Sequence, residues 1–462
     1  TDGTSPTPMS PRYTGPINVS STTVVRAAVP DPDTILQRDS SASYLFLSDI
    51  LQQAEGVVPP GFPASGVNNQ VLVYGLRGDI VNGDADTVAR LNRGFTNSIQ
   101  TISLVIDPAN LFDSGKGIYV NAKGNGKGWE RPTMVEQIDP VNGAAKEFSV
   151  PAGIRIRGAY SRGSAYPKHS LRLFFRGEYG MSKLKFPLFD NEGTDEFKKV
   201  DLRTAQNYSW ANGNVNAFTF IEECFSRDSQ RDMGEPYNRS RYYNLFINGV
   251  YWGVYQTEER VDRHYAESYN GDVDDNYDVI RTSQPGYNTG VVEGEGAAWH
   301  DFWDITVNEG YGTAHPGNYN RVRGLNPDGT RNPDYPVYLN ETNVMVYMIT
   351  AHYSVDSDSP ASTGGRANNL AVFRDRFDGQ GLRDGFIWNR HDAEHSLGTR
   401  SGYPVTKTDF YKMGTREQAA TLTEESNFNA AELHYELCSN AEYRVKFADQ
   451  VYKHCLKPGG AM

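Results

Sequence analysis

Tyr243-Asn244-Leu245-Phe246-Ile247-Asn248-Gly249-Val250-Tyr251-Trp252-Gly253-Val254-Tyr255 holds two apolar and aromatic runs around an Asn-Gly pair. Both turn residues tolerate positive φ, so the stretch predicts a hairpin with a two-residue turn. Upstream, strand signals recur at 101–106, 117–120, 152–157, 171–175 and 200–203. Between these strands and the hairpin the period changes. Phe218, Ile221, Phe225 and Met233 suit one face of a helix that ends at Gly234. Downstream, a helix over 261–269 and a strand over 277–281 follow. Helical spacing returns at 298–307 and 342–354, a strand pair at 369–373 and 385–388, and two helices within 430–456. The expected plan is a strand-rich N-terminal half with one inserted helix, and a mainly helical C-terminal half.

Within 462 residues there is room for two or three domains, or for one large core with appendages. The segmentation expected is 1–35 as the remnant of an upstream β-sandwich-like module, with a strand at 13–17, and 36–98 as a linker with short helices at 44–54 and 84–92. A strand-rich unit over 99–260 and a helical unit over 261–462 follow. The first residue is Thr1, so the reading expects a chain trimmed from a longer one with its secretion signal removed. No run of apolar residues is long enough for a spanning helix. The net charge of −12 repels phosphate backbones, which argues against nucleic acid as a partner. Three cysteines cannot build a disulfide framework. Cys438 and Cys455 are left as either a terminal pair or free thiols.

Several groups of residues could carry chemistry. The loops Gly115-Lys116-Gly117 and Gly124-Asn125-Gly126-Lys127-Gly128 lack the spacing and the Ser/Thr of a phosphate loop, so they read as ordinary exposed loops. A denser basic group is Arg155-Ile156-Arg157 through Ser161-Arg162, followed by Lys168-His169-Ser170-Leu171-Arg172. Alternation sets Arg155 and Arg157 on one face of a strand. Such a group serves either phosphate oxygens or some of the 57 acidic side chains. Glu222 and Glu223 open the inserted helix, and an inward acid there needs a cation such as Lys168. Asp356-Ser357-Asp358 ends an apolar helix, Asn368-Asn369 opens a strand, and Asn389 to Gly398 contains His391, Asp392 and His395. The two histidines raise the alternative of zinc, but the run follows a strand, so one helical face is not expected. Asp392 with an Asn oxygen suits a hard ion instead.

In this order, the motifs resemble the CotH kinase family, named for spore coat protein H, over roughly residues 100–455. The residues that carry the resemblance are Gly153-Ile154-Arg155-Ile156-Arg157-Gly158, Pro167-Lys168-His169-Ser170-Leu171-Arg172-Leu173, Phe186-Pro187-Leu188-Phe189, the 245–255 run with Glu259-Arg260-Val261-Asp262, Asp356 with Asn368-Asn369, and His391-Asp392-Ala393-Glu394-His395-Ser396-Leu397-Gly398. Residues 1–30 resemble the end of a chitobiase C-terminal-like module. The resemblance implies an α+β, atypical protein-kinase-like two-lobe fold, with a strand-rich N-lobe holding one helix and a mainly helical C-lobe. It implies an ATP- and Mg²⁺- or Mn²⁺-dependent kinase acting on Ser or Thr of a protein, in a secreted or surface-located bacterial setting. A catalytically silent scaffold or adhesion module and an AMP-transferring enzyme are the alternatives. Lys168 would hold nucleotide phosphates under a loop with Arg157, Ser161 and Arg162. Glu222 or Glu223 would pair with Lys168, Glu259 would mark the adenine side, and Asp356 would be the catalytic acid/base. Asn369 and Asp392 would bind the metal. The expectation as a whole is that Lys168, Asp356 and Asp392 converge.

Overall fold

A computed structural model describes residues 3–29, 38–82, 84–205, 219–283, 288–359, 367–377, 383–398 and 424–462. The chain divides into two compact units. One comprises Thr1–Val215 with Ser240–Glu258, the other Asn216–Arg239 with Glu259–Met462.

In the first unit β1 (Thr23–Val29) and β2 (Arg38–Tyr44) form an antiparallel pair. Seven strands make a closed barrel: β3 (Gln100–Val105), β4 (Arg131–Ile138), β5 (Phe148–Ile156), β6 (Leu171–Phe174), β9 (Lys199–Arg203), β10 (Tyr242–Ile247) and β11 (Val250–Glu258). A small ribbon, β7 (Leu184–Lys185) with β8 (Glu196–Phe197), lies between β6 and β9 in the chain. The barrel order is β10-β11-β9-β6-β5-β4-β3, and a parallel pairing of β3 with β10, Gln100 to Tyr243 through Leu104 to Ile247, closes it. Alternation sends Ile102, Leu104, Ile154, Ile156, Leu171, Leu173, Leu245 and Ile247 into one apolar core. β1 is tied to the barrel by Val24, which packs on Val105 and Met134.

The Asn248-Gly249 turn forms as expected, with φ of 51° and 81° and Ile247 opposite Val250. Its side chain does more than permit the turn. Asn248 Oδ1 accepts from Ile106 N at 2.9 Å and Nδ2 donates to Ile106 O at 2.8 Å, so the amide extends the ladder of β3. The register of the hairpin shifts at Leu245/Phe246 opposite Trp252, and Gly253 has φ of 127°. This bulge switches the parity of β11: Trp252 and Tyr255 both reach the core while Val254 is exposed.

The second unit contains an antiparallel sheet, β12 (Tyr277–Ser283), β13 (Asn288–Glu293), β14 (Ala371–Asp375) and β15 (Ile387–Trp388), in the order β13-β12-β14-β15. Its longer helices are α1 (Glu222–Asp232), α2 (Arg263–Asn270), α3 (Ala297–Asp304), α4 (Glu341–Tyr353), α5 (Ala430–Leu437) and α6 (Ala441–Val451). Every residue of α4 from Asn343 to Ala351 is buried, so it is a central helix rather than an amphipathic cover. Trp299, Phe302, Tyr347, Trp388 and Phe428 share its core.

Several expectations are corrected. The kinase-like two-lobe fold with a mainly helical C-lobe does not hold: the chain is a mixed α/β protein with a closed seven-stranded barrel, and its second unit carries a four-stranded sheet. The inserted helix α1 groups with the second unit, not with the strands that precede it. Its buried face is polar, with Glu222, Glu223, Ser226, Arg227 and Gln230 inside and Ile221 exposed. Phe218 lies outside the described residues. Residues 117–120 form turns rather than a strand, held by Ile118 N on Asn110 O and Tyr119 N on Leu111 O. Residues 13–17 form no strand. The linker helices appear as Leu47–Leu51 and Ala85–Arg93. Cys438 and Cys455 form no disulfide. Among the described residues no helix is long and apolar enough to cross a membrane.

Two outcomes follow from this packing. Asn248→Ala leaves the buried N–H and C=O of Ile106 without the amide that pairs them, and is expected to cost about 2 kcal/mol in urea unfolding. Glu432 is 3 % exposed, and burial pushes its carboxyl up to about 9. The native state therefore keeps a proton that the unfolded chain releases above its ordinary 4.5, and stability falls as pH rises between those values. Glu432→Gln is expected to raise the unfolding free energy from urea titration at pH 7 by about 1 kcal/mol or more and to flatten this decline.

Candidate functional site

On the barrel, alternation turns the basic side chains of β5 and β6 away from the apolar core, where they meet acids. Arg155 Nη2 lies 2.7 Å from Glu130 Oε2. Arg157 Nε is 2.8 Å from Asp201 Oδ2, and its Nη2 is 3.2 Å from Glu258 Oε2. Arg172 Nη2 donates to Asp201 Oδ2 at 2.7 Å. Burial pushes the Asp201 carboxyl up, but Arg172 and Arg157 outweigh it and hold it well below the usual range. Of the two readings left open for the basic group, pairing with acids is the one seen for Arg155, Arg157 and Arg172.

Ser161 and Arg162 lie in a 3-10 turn, Tyr160–Arg162. Arg162 Nη1 donates to the carbonyls of Lys123 and Gly124, both at 3.3 Å. The half-buried Lys168 donates from Nζ to Val73 O at 2.8 Å and stands 3.9 Å above the Trp252 ring. Desolvation pushes its ammonium down to about 7. His169, Tyr119 and Gln70 set this segment, and sequence reasoning gave none of them a role. His169 Nδ1 is 3.0 Å from Ser161 O, and its Nε2 is 2.9 Å from Gln70 Oε1. The Tyr119 hydroxyl donates to Pro167 O and accepts from Trp252 Nε1.

In the second unit, three turns converge. α4 ends at Tyr353 and the chain bends through Ser354, Val355 and Asp356. β14 is entered through Asn369, and β15 leaves through Asn389, Arg390 and Asp392. Among the described residues nine non-glycine residues have positive φ. Four are here: Val355 (54°), Asn369 (49°), Asp392 (56°) and Leu397 (54°). Such conformations cost energy, most for a β-branched residue, and concentrate where a site over-determines the backbone.

Arg390 sets the arrangement. It is fully buried and pairs with the fully buried Asp356 through Nη2 and Oδ2. Its Nε donates to Ser226 Oγ on α1 at 2.9 Å, its backbone N to Gln230 Oε1 at 2.9 Å, and its guanidinium stands 4.8 Å from the Tyr347 ring centre. Burial pushes the Asp356 carboxyl above its usual range despite the Arg390 charge. Asp356 Oδ1 also accepts from Asp358 N at 3.0 Å. Asp356, the expected acid/base, has no exposed surface and is paired with Arg390.

Asp358, two positions on, is 21 % exposed. Asn369 Nδ2 lies 3.2 Å from Asp358 Oδ2 and 3.2 Å from Asp392 O, so one amide bridges the two acidic turns. Asp392 N donates to Glu223 Oε1 at 3.0 Å, and His395 Nε2 is 3.8 Å from Asp358 Oδ2. Asp356, Asn369, Asp392 and Glu223, expected from the sequence, thus meet within one unit, while Lys168 belongs to the barrel unit. Asp358 was missed as a site residue, although it stands in the same quoted run. Glu222 is held by Thr219 Oγ1. Glu259, expected to mark the adenine side, is buried against Arg239 at 3.2 Å and the Tyr269 hydroxyl. The carboxylates and amide of the three turns are hard oxygen donors, which suit Mg²⁺ or Mn²⁺. A separate group, His264, Glu267 and Asp274, brings one donor atom each within 4.8 Å of the others. His264 Nδ1 lies 2.7 Å from Asp274 Oδ2 and 3.8 Å from Glu267 Oε2.

The family model described as CotH kinase protein matches residues 154–457. The chain belongs to this family. The match begins inside β5, so β3 and β4 of the barrel lie before it. Family membership supports a kinase-like function in general and covers the whole Asp356–Asp392 constellation. A second model, Chitobiase/beta-hexosaminidase C-terminal domain, matches residues 1–38. No curated protein matches the chain.

Removing one partner of a buried ion pair leaves an uncompensated charge. Arg390→Met is therefore expected to destabilise the protein by about 3 kcal/mol or more, whereas Asp356→Asn, which keeps an acceptor oxygen, costs less. Thermal unfolding of the two variants checks the order.

Proposed function

We propose that this CotH kinase family member is an ATP- and metal-dependent phosphotransferase acting on a Ser or Thr hydroxyl of a protein, secreted or at a bacterial cell surface. The observation that supports the reading best is the joining of Asp358, Asn369 and Asp392 by one amide on strained turns. Asn369 and Asp392 are the residues that would hold Mg²⁺ or Mn²⁺, whose contribution when bound is to neutralise phosphate oxygens. The protein's own groups do the rest. Glu223 fixes the backbone at Asp392, the Arg390–Asp356 pair fixes the turn before Asp358, and Asn369 orients the Asp358 carboxylate. Asp358, partly exposed, is then the carboxylate placed to accept the proton of an attacking hydroxyl.

Thermal unfolding with ATP and Mn²⁺ tests binding: a ligand at 100 times its dissociation constant stabilises by about 2.7 kcal/mol. Asp392→Ala is expected to lose the metal-dependent part of the shift, and Lys168→Met to weaken the nucleotide-dependent part. Asp358→Asn is expected to keep the shift and lose phosphoryl transfer by about 100-fold or more. Transfer undiminished in Asp358→Asn would remove its assigned role. No shift with the wild type would leave a silent scaffold as the reading.

A further inference from the structure

The two Gly-Lys loops have no part in the constellation above. Residues 113–131 hold four cations, Lys116, Lys123, Lys127 and Arg131, and two acids, Asp113 and Glu130, in a chain of net charge −12. Glu130 is buried and already bound by Arg155 and by Arg176 at 2.9 Å, so it adds no negative surface. The three lysines are exposed.

The loops that carry them are built to hold shape. Arg131 donates from Nε and Nη2 to Lys116 O at 3.0 and 2.7 Å, and from Nη1 to Gly128 O at 2.9 Å. Arg162 grips the carbonyls of Lys123 and Gly124 from the other side. Asp113 Oδ1 accepts from the backbone N of both Gly115 and Lys116 at 2.9 Å. Gly124 is needed there, because a Cβ would meet the Trp129 ring at 2.3 Å. The guanidinium groups are thus spent on backbone carbonyls and on Glu130, and the lysine ammonium groups are what the loops present.

We infer that this lysine platform is a docking surface for an acidic polypeptide segment. In a chain of net charge −12, three exposed lysines within 12 positions are a local concentration of positive charge that an oppositely charged partner would find by steering. Its chemistry favours carboxylates over nucleic acid. Bidentate phosphate recognition uses free arginine forks, and these are occupied. Single-strand binding uses open aromatic faces, whereas Trp129 packs against Gly124 and has the Arg131 guanidinium 5.7 Å from its ring centre. Lys127 has one exposed partner, Glu178 at 2.9 Å, a surface pair weak enough to exchange for a ligand carboxylate.

The test is fluorescence anisotropy on the full chain with a short fluorescein-labelled peptide rich in Asp and Glu. Its Asn/Gln counterpart and a single-stranded DNA of equal charge serve as controls. The acidic peptide is expected to bind, the neutral one not, and binding is expected to weaken as salt rises from about 0.05 to 0.2 M. Lys116→Glu/Lys123→Glu/Lys127→Glu is expected to weaken it about tenfold or more, and the triple Lys→Gln variant by less. These side chains are exposed, so the thermal midpoint and the ATP-dependent shift should stay at the wild-type values. That separates failure here from failure of the phosphotransferase reading. Wild-type protein that does not bind the acidic peptide, unchanged affinity in the charge-reversed variant, or DNA binding at least as tight as the peptide would each overturn the inference.

Discussion

A guanidinium buried without surface exposure dictates much of the second unit. Arg390 cannot leave water unless each of its donors finds an acceptor, because an unpaired buried charge costs several kcal/mol. Asp356, Ser226 and Ser359 supply those acceptors from the turn after α4 and from α1. The backbone N of Arg390 is taken by Gln230, whose Nε2 binds Trp388 O at 2.6 Å. Satisfying one side chain therefore joins α1, the end of α4 and the exit of β15. It also explains why the buried face of α1 is polar: Ser226 and Gln230 face inward to complete the arginine, and Glu223 to hold Asp392.

The same constraint separates two acids that look interchangeable. Asp356 and Asp358 differ by two positions, but the first is consumed by Arg390 and the second keeps solvent access and the bridging amide of Asn369. A buried carboxylate paired to a guanidinium is a structural anchor. A partly exposed one beside an Asn and a second acidic turn can do chemistry. The left-handed residues Val355, Asn369 and Asp392 mark where this arrangement holds the backbone in costly conformations.

The barrel unit shows a parallel economy. Its cations on β5 and β6 neutralise Glu130, Asp201 and Glu258, while Arg131 and Arg162 shape loops by binding carbonyl groups. Lys168 differs from these arginines, since it lies against an indole face and a carbonyl, and its charge is weakened by burial. The positive character of the sequence between 153 and 172 is therefore mostly internal, whereas Lys116, Lys123 and Lys127 of the earlier Gly-Lys loops are exposed.

Local features were legible in the residues themselves. The Asn248-Gly249 turn, the strands β3, β5, β6, β12 and β14, and the helix α4 all come from periodicity or turn chemistry, which neighbouring residues encode, whereas the contact of Glu223 with Asp392, in place of the expected pairing with Lys168, does not. Barrel closure through β3 and β10, the grouping of α1 with the second unit, the bulge that aims Trp252 inward and the burial of Asp356 under Arg390 were decided only in three dimensions. An alternating strand reads the same in an open sheet as in a closed one, and an aspartate reads the same in water as beside a buried arginine. The difference lies in pairing and desolvation by residues far away in the chain.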